Sequence, residues 1–504
     1  MLKDKKTRLS FILSLLFSFI LITLYFKSKS TFTMDESFSF SLANFFKAPI
    51  PGWITFDSNV ELSKELMNGY TITDDAFNFK GVYYNLCGDN HPTLYFYALH
   101  FISSIFKGRF TIWFSYILNA PLFLINCFLL MKIIKEETNS NLLMILVNLF
   151  YSLNKVFLYH FQLIRMYQMV STLTLLFVYF GIKILKQKGN QYLNYLFLLI
   201  FTILGGLTHY YFYVALGCIA LFMAIYLIIN KRIKDLLLSF LSCLTGVLLN
   251  IFVLFKGTIK HFTYGHGASS ISKLENGLFD KEAIKSFIEQ SWGGTIIFYL
   301  SIIVLIISII MLIKKRKEFI LPSILLSSYF LYFYFVANLA TYKIERYMLP
   351  IDALSLLGLF LGIIYILKDK KIIVVLIISL IILNLDMSWI TKINNKKSWD
   401  VAKEHQWDKA LVITSENNNY YNYINSFLWM DLRWYNAVYT SSNIANISNE
   451  LMSEEFVLYI EKSLDQDKII EKVRNELPSG NDYKIVEAHN EVEITSYNMY
   501  ILHG

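Results

Sequence analysis

Blocks of roughly 17–25 apolar residues recur along most of this chain, and that is the length a helix needs to cross a hydrocarbon core of about 30 Å. The first runs from Leu9 to Phe26, and later ones include Thr111 to Met131, Tyr211 to Asn230, Ile296 to Ile313 and Tyr347 to Leu367. Lipid offers no partners to irregular backbone, so these blocks must be helices. Composition agrees: 55% of the 504 residues are hydrophobic, against roughly 45–50% in soluble domains. The expected class is a mainly α, polytopic membrane helical bundle.

The formal net charge of +8 does not indicate a nucleic-acid surface. Lys and Arg gather where apolar blocks end, at Lys132 and Lys135, Lys186 and Lys188, Lys231-Arg232, Lys314 to Lys317 and Lys368 to Lys371. Such clusters are the positive-inside signal of cytoplasmic loops. Lys3, Lys5, Lys6 and Arg8 precede the first block, which has no small-residue cleavage site after it and therefore reads as an uncleaved anchor with a cytoplasmic N-terminus. Cys87, Cys127, Cys218 and Cys243 are scattered, so no disulfide framework or cysteine metal cluster follows.

Residues 27–110 are too polar for membrane core and read as a long first external loop. Within it, His91 to Phe106 is apolar, but its 16 residues are short for a span and include His91 and His100. An interfacial helix is expected there. If that segment does not cross, all five later basic clusters fall on one side and about eleven spans remain, with both first loop and tail external. Residues 1–390 would then be a transmembrane module. Residues 391–504 are polar, with strand-like alternation at Ala410 to Thr414 and Tyr483 to Glu487 and helical spacing from Lys462 to Leu477, as in a small extracytoplasmic α/β domain.

This topology collects the unusual polar residues on the external face. Asp35 and Glu36 follow the first span, Asp89, Asn90 and His91 precede the short helix, and His160, Gln162 and Arg165 occupy one turn. His209, Tyr210 and Tyr211 occupy another, Lys256, Lys260, His261 and His266 a Gly-bearing loop, and Lys343, Glu345, Arg346 and Tyr347 open a late span. A carboxylate there could deprotonate a hydroxyl, and Arg could hold a phosphate in bidentate fashion. The acids and histidines could also hold a divalent ion, although no tight spacing motif demands one.

Asp35-Glu36 after the first span, His91-Pro92-Thr93-Leu94-Tyr95, Arg165-Met166-Tyr167 and Thr208-His209-Tyr210 resemble membrane glycosyltransferases of the GT-C class. The likeness is to glycosyltransferase family 39 and protein O-mannosyltransferase-like proteins, and more distantly to aminoarabinose transferase. It covers about residues 1–230 and is weaker through Arg346-Tyr347-x-x-Pro350. Thr93 stands where the family's HPP-type motif has a second Pro.

The resemblance implies a cell-membrane enzyme that moves a sugar from a polyprenyl-phosphate donor to an extracytoplasmic acceptor by single displacement. Asp35 would be the base with Glu36 its neighbour. Asp89, His91, Arg165, Tyr167, His209, Tyr210 and Arg346 would bind substrate. Glu36, Asp89 and His209 are candidate ligands should a divalent ion take part.

Each residue also has a plainer role. Asp35 and Glu36 could cap a helix or mark its end, Arg165 could snorkel to the interface, His209 could belong to an aromatic belt, and Glu345-Arg346 could be an anchoring ion pair. A transporter or flippase of lipid-linked sugars is the rival from another class. It predicts mid-span charges and repeat-related broken helices. A receptor or assembly factor acting through its tail is a second.

Overall fold

The computed structural model describes residues 4–29, 33–46, 60–62, 75–263, 273, 280–340, 342–386, 388–390, 409–415, 435–442, 444, 455–477, 484–489 and 497–503. His266 and Tyr483 lie outside them. The chain forms two compact units, one of Met1–Phe26, Leu86–Tyr95 and Ser115–Met387, the other of Lys27–Asn85, Phe96–Phe114 and Ser388–Gly504.

The first unit is a helical bundle. Eight helices among the described residues are long and apolar enough to cross a membrane: Lys5–Phe26, Trp113–Thr138, Tyr167–Leu185, Tyr211–Ile229, Ile233–Leu254, Gly294–Ile313, Lys317–Leu339 and Glu345–Leu367. The other blocks expected to cross are shorter helices, Asn141–Leu153, Gln191–Gly206 and Lys370–Asn384. Asn154 is the reason the first of these is short. Its side chain caps a new helix, Lys155–Gln162, by accepting from the Val156 and Phe157 amides, and donates to the Trp292 carbonyl.

The bundle is layered by burial. Leu349–Leu367 is buried along almost its whole length, whereas Ile233–Leu249 exposes Leu237, Phe240, Leu241, Leu244 and Leu248. An outward apolar face of that size belongs against lipid. The central helix packs closely because Gly358 and Gly362 are four residues apart on one face. A Cβ on Gly362 would lie 2.2 Å from Val304 Cγ1, and one on Gly358 3.0 Å from Leu325 Cβ.

The helix ends are chemically opposite. Arg165, His209 and Arg346 stand just before the helices beginning at Tyr167, Tyr211 and Leu349. At the other ends of the same helices the basic residues find acids and carbonyls. Lys186 pairs with Glu137. Arg232 donates to the Leu185 and Ile184 carbonyls at 2.7 Å each, closing the last turn of Tyr167–Leu185.

The second unit joins the first loop to the tail. In Met34–Asn44, Glu36 is wholly buried, and its two oxygens accept from Lys29 Nζ at 2.6 Å and from the Thr33 amide at 2.7 Å. Thr33-x-x-Glu36 thus has the spacing that closes a helix N-terminus, and the helix it closes is the one that follows rather than the first span. The 91–106 segment yields a helix over Leu94–Ile105, too short for the span criterion. Its His100 is buried, with Nδ1 3.3 Å from Asn44 Oδ1.

Six strands form one sheet: β1 (Val60–Leu62), β2 (Lys409–Thr414), β3 (Tyr435–Thr440), β4 (Glu455–Glu461), β5 (Lys484–His489) and β6 (Tyr497–His503), in the order β1-β3-β2-β4-β6-β5. β2 runs parallel to β3 and β4, and the other pairings are antiparallel. Alternate residues Leu411, Ile413, Leu458 and Ile460 share a face and pack against Ile469, Ile470 and Val473 of the helix Gln466–Glu476. β1 comes from the first loop, whose Lys27–Asn85 part belongs with the tail while its Leu86–Tyr95 part belongs with the spans.

The Lys29–Glu36 pair makes a sharp prediction. Glu36→Ala leaves a buried ammonium without its counter-charge, which costs about 3–5 kcal/mol, whereas replacing both partners by apolar residues is often near neutral. Thermal unfolding of the purified protein should show a large drop for the single variant and recovery in Lys29→Met/Glu36→Met. Equal losses in both would mean the ion pair is not what anchors this helix.

Candidate functional site

Three interruptions between helices of the first unit carry its site residues. The 163–166 link holds Arg165 and is pinned from outside: Asn119 Nδ2 donates to the Phe161 carbonyl at 2.9 Å and to the Leu163 carbonyl at 2.7 Å. Gln162 Nε2 donates to the Tyr25 carbonyl at 2.9 Å. The 207–210 link holds His209, and its Leu207 carbonyl accepts from the Leu94 amide at 2.8 Å, fastening it to the stretch after His91. Arg346 lies on the 3-10 turn Glu345–Met348, where the Tyr332 hydroxyl donates to the Tyr347 carbonyl at 2.5 Å.

Asp89, His91 and Arg165 form a chain. His91 Nδ1 is 2.5 Å from Asp89 Oδ2, and Arg165 Nη2 is 3.2 Å from His91 Nε2. A guanidinium has no acceptor, so Nε2 must accept and Nδ1 carries the proton that it donates to Asp89. Burial alone would raise the Asp89 carboxyl. The His91 ring and its hydrogen bond, the Asn90 amide and Arg165 outweigh that, holding it below the ordinary carboxylate value. Arg165 is thereby held by a neutral ring that is itself oriented by a carboxylate.

Arg346 is held differently. Its guanidinium lies 5.6 Å from the Tyr167 ring centroid and 5.9 Å from that of Tyr347, a cation–π arrangement. Tyr211 packs on Tyr347 at 4.9 Å between centroids, and His209 lies 5.5 Å from Tyr167. His209 accepts from the Tyr211 amide through Nδ1 at 3.1 Å, so a neutral His209 carries its proton on Nε2. Burial, then the neighbouring His91, Arg165 and Arg346, hold it well below the usual histidine value. Tyr167, two residues after Arg165, has both the His209 ring and the Arg346 guanidinium within 6 Å of its own ring. The arrangement is an aromatic-walled site of positive potential at helix N-termini, which add to that potential.

Of the residues singled out from the sequence, Asp89, His91, Arg165, Tyr167, His209 and Arg346 come together here. Tyr210 turns to a different partner, its hydroxyl 2.6 Å from His261 Nδ1. Lys260 Nζ donates to the Cys87 carbonyl at 3.2 Å. Asp35 and Glu36 belong to the second unit, where Glu36 is taken up by Lys29 and Thr33 and Asp35 is the half-buried member of the pair. Among the described residues no group of three His, Cys, Asp or Glu is arranged to hold a metal ion. Sequence reading missed Asn119, Tyr332 and Tyr347 as supports, since an Asn or Tyr inside an apolar block carries no pattern that marks it.

No protein-family model matches the sequence, and no characterised protein does.

The buried His209 predicts a pH dependence. Burial first, and then its charged neighbours, hold His209 well below the usual histidine value, while it would protonate at about pH 6.5 when unfolded. Below that pH the unfolded chain binds more protons, so stability falls as pH drops, by about 1.4 kcal/mol per unit for this histidine. The loss continues until the folded value is reached. Thermal unfolding between pH 7 and 5 should show this slope, and His209→Gln should remove one proton's share of it. A slope unchanged by His209→Gln would mean that His209 is not kept neutral.

Proposed function

We propose that this protein is an integral-membrane glycosyltransferase of GT-C type that transfers a sugar from a polyprenyl-phosphate donor to an extracytoplasmic acceptor. The observation that carries the reading is the pair of immobilised arginines, Arg165 on His91 and Arg346 on Tyr167 and Tyr347, both close to His209. An anion site at the ends of apolar helices suits a substrate with a phosphate head and a lipid tail. Arg supplies paired donors matched to phosphate, and in a low-dielectric site their effect on a departing phosphate is enlarged.

The acceptor hydroxyl oxygen would attack the anomeric carbon while the bond from that carbon to the phosphate oxygen breaks. The leaving polyprenyl phosphate keeps the electron pair and is stabilised by Arg165 and Arg346. The hydroxyl proton goes to Asp35. The motif resemblance alone gives Asp35 that role, since it belongs to the second unit and the arginines to the first. Tyr210 stays a substrate-binding residue only through the resemblance.

The topology that goes with this reading has the N-terminus and lysine clusters in the cytoplasm and the site and tail outside. Asn141–Leu153 continues through Asn154 into Lys155–Gln162, and the two pieces together are long enough to cross. On this reading the broken helix, Gln191–Gly206 and Lys370–Asn384 would cross beside the eight long helices, for about eleven spans. The break at Asn154 and the buried Asp352 within a span favour a lipid-linked-sugar transporter as second reading, since both features are at home there.

Purified protein in lipid vesicles, given a labelled polyprenyl-phosphate hexose and membrane extract as acceptor, should release polyprenyl phosphate. Asp35→Asn should abolish turnover while leaving donor binding intact. Arg165→Ala and Arg346→Ala should each weaken donor binding by roughly 10–100-fold, the worth of a charged hydrogen bond. Labelled lipid crossing the bilayer without release of sugar would establish the transporter instead.

A further inference from the structure

His160 ends the helix Lys155–Gln162 and is 1% exposed. Among the described residues neither of its ring nitrogens has a hydrogen-bond partner. Its nearest charged neighbour, Glu345, has Oε1 3.7 Å from Nε2, beyond hydrogen-bonding reach. Buried polar groups in native proteins are almost always satisfied, and an exception calls for an explanation such as a ligand, a water or a chemical role. Both nitrogens of one ring are exceptions here.

The surroundings narrow the choice. The ring stands edge-on to Tyr167 at 6.2 Å between centroids, and the Arg346 guanidinium lies 5.6 Å from the same Tyr167 ring. His160 therefore sits next to the residue assigned to the donor phosphate. A neutral imidazole offers one donor and one acceptor. A phosphate oxygen only accepts and would leave one nitrogen unmet, whereas hydroxyl groups donate and accept. Glu345, with its side chain 27% exposed, adds a carboxylate that accepts from a neighbouring hydroxyl and borders the route from water.

We propose that His160 and Glu345 form a subsite that reads hydroxyl groups of the sugar carried by the phosphate-linked donor, next to the arginines that hold its phosphate. This rests on the glycosyltransferase reading but adds to it. The arginines bind the part of the donor common to all polyprenyl phosphates, and the His160–Glu345 pair binds the part that distinguishes one sugar from another.

The test uses the full-length protein and two kinds of probe, polyprenyl-phosphate hexoses (glucose, mannose and galactose) and the same polyprenyl phosphate without sugar, with binding measured for each. Wild type should bind at least one hexose form more tightly than the bare phosphate. His160→Phe keeps the aromatic packing but removes both polar atoms. It should weaken that hexose form about tenfold, the scale of a lost hydrogen bond, and leave bare phosphate within about twofold. His160→Gln, which restores a donor and an acceptor, should recover part of the loss. Should His160→Phe fail to fold by its unfolding temperature, Glu345→Ala gives the same reading from the exposed side.

Equal loss for sugar-bearing and bare lipid, or none for either, overturns the subsite. So does a Glu345→Ala protein that keeps the wild-type preference. Wild type that binds neither lipid overturns the glycosyltransferase reading and the subsite with it. Wild type that prefers the hexose form while His160→Phe retains that preference overturns the subsite alone.

Discussion

Backbone at membrane depth must find its hydrogen-bond partners within the protein, and that constraint decides where this chain keeps its chemistry. Helices meet it automatically, but the links between them do not. Each link that carries a site residue is closed by a specific donor: Asn119 for the Arg165 link, the Leu94 amide for the His209 link, the Tyr332 hydroxyl for the Arg346 turn. The break at Asn154 is satisfied by its own capping amides, by Trp292 and by a bridge to Leu385. Polar residues in this bundle thus serve first to make irregular backbone tolerable, and the same irregular backbone presents the arginines.

The two arginines are fixed by opposite means. Arg165 spends part of its fork on a neutral imidazole whose other nitrogen is tied to Asp89, whereas Arg346 rests on tyrosine faces. One guanidinium is tied through an imidazole to a carboxylate, and the other lies against the faces of two tyrosine rings. Burial and its charged neighbours hold His209 well below the usual histidine value, so the arginines, rather than this histidine, carry the positive charge there.

Much of the bundle could be read from the sequence because apolar blocks and terminal lysine clusters are one-dimensional signals. Arg165, His209 and Arg346 were legible for the same reason, as charges at block ends where apolar residues would be expected. What escaped reading depends on folding at a distance. The three residues of β1 have no alternation long enough to notice, and their partner lies in the tail. Asn154 sits inside an otherwise apolar run, and nothing in that run tells a capping Asn from one buried among helices. Asp35-Glu36 looked like a matched pair, but the capping geometry at Thr33 separates them and takes Glu36 for structure. His160 was visible as one of several polar residues in a turn, yet its unsatisfied ring became apparent only once its neighbours were in place.

The pairing of Val60 with Val438 sets an order on biosynthesis. β1 emerges after the first span, but β3, the strand it joins, is made only after every spanning helix has been inserted. The β1 residues must wait on their side of the membrane through most of translation, while an edge without its partner is a template for wrong pairing. A short strand is the least hazardous one to leave waiting, and β1 is three residues long. The second unit is therefore a late, non-local assembly that closes only after the long helices between β1 and β3 have been made.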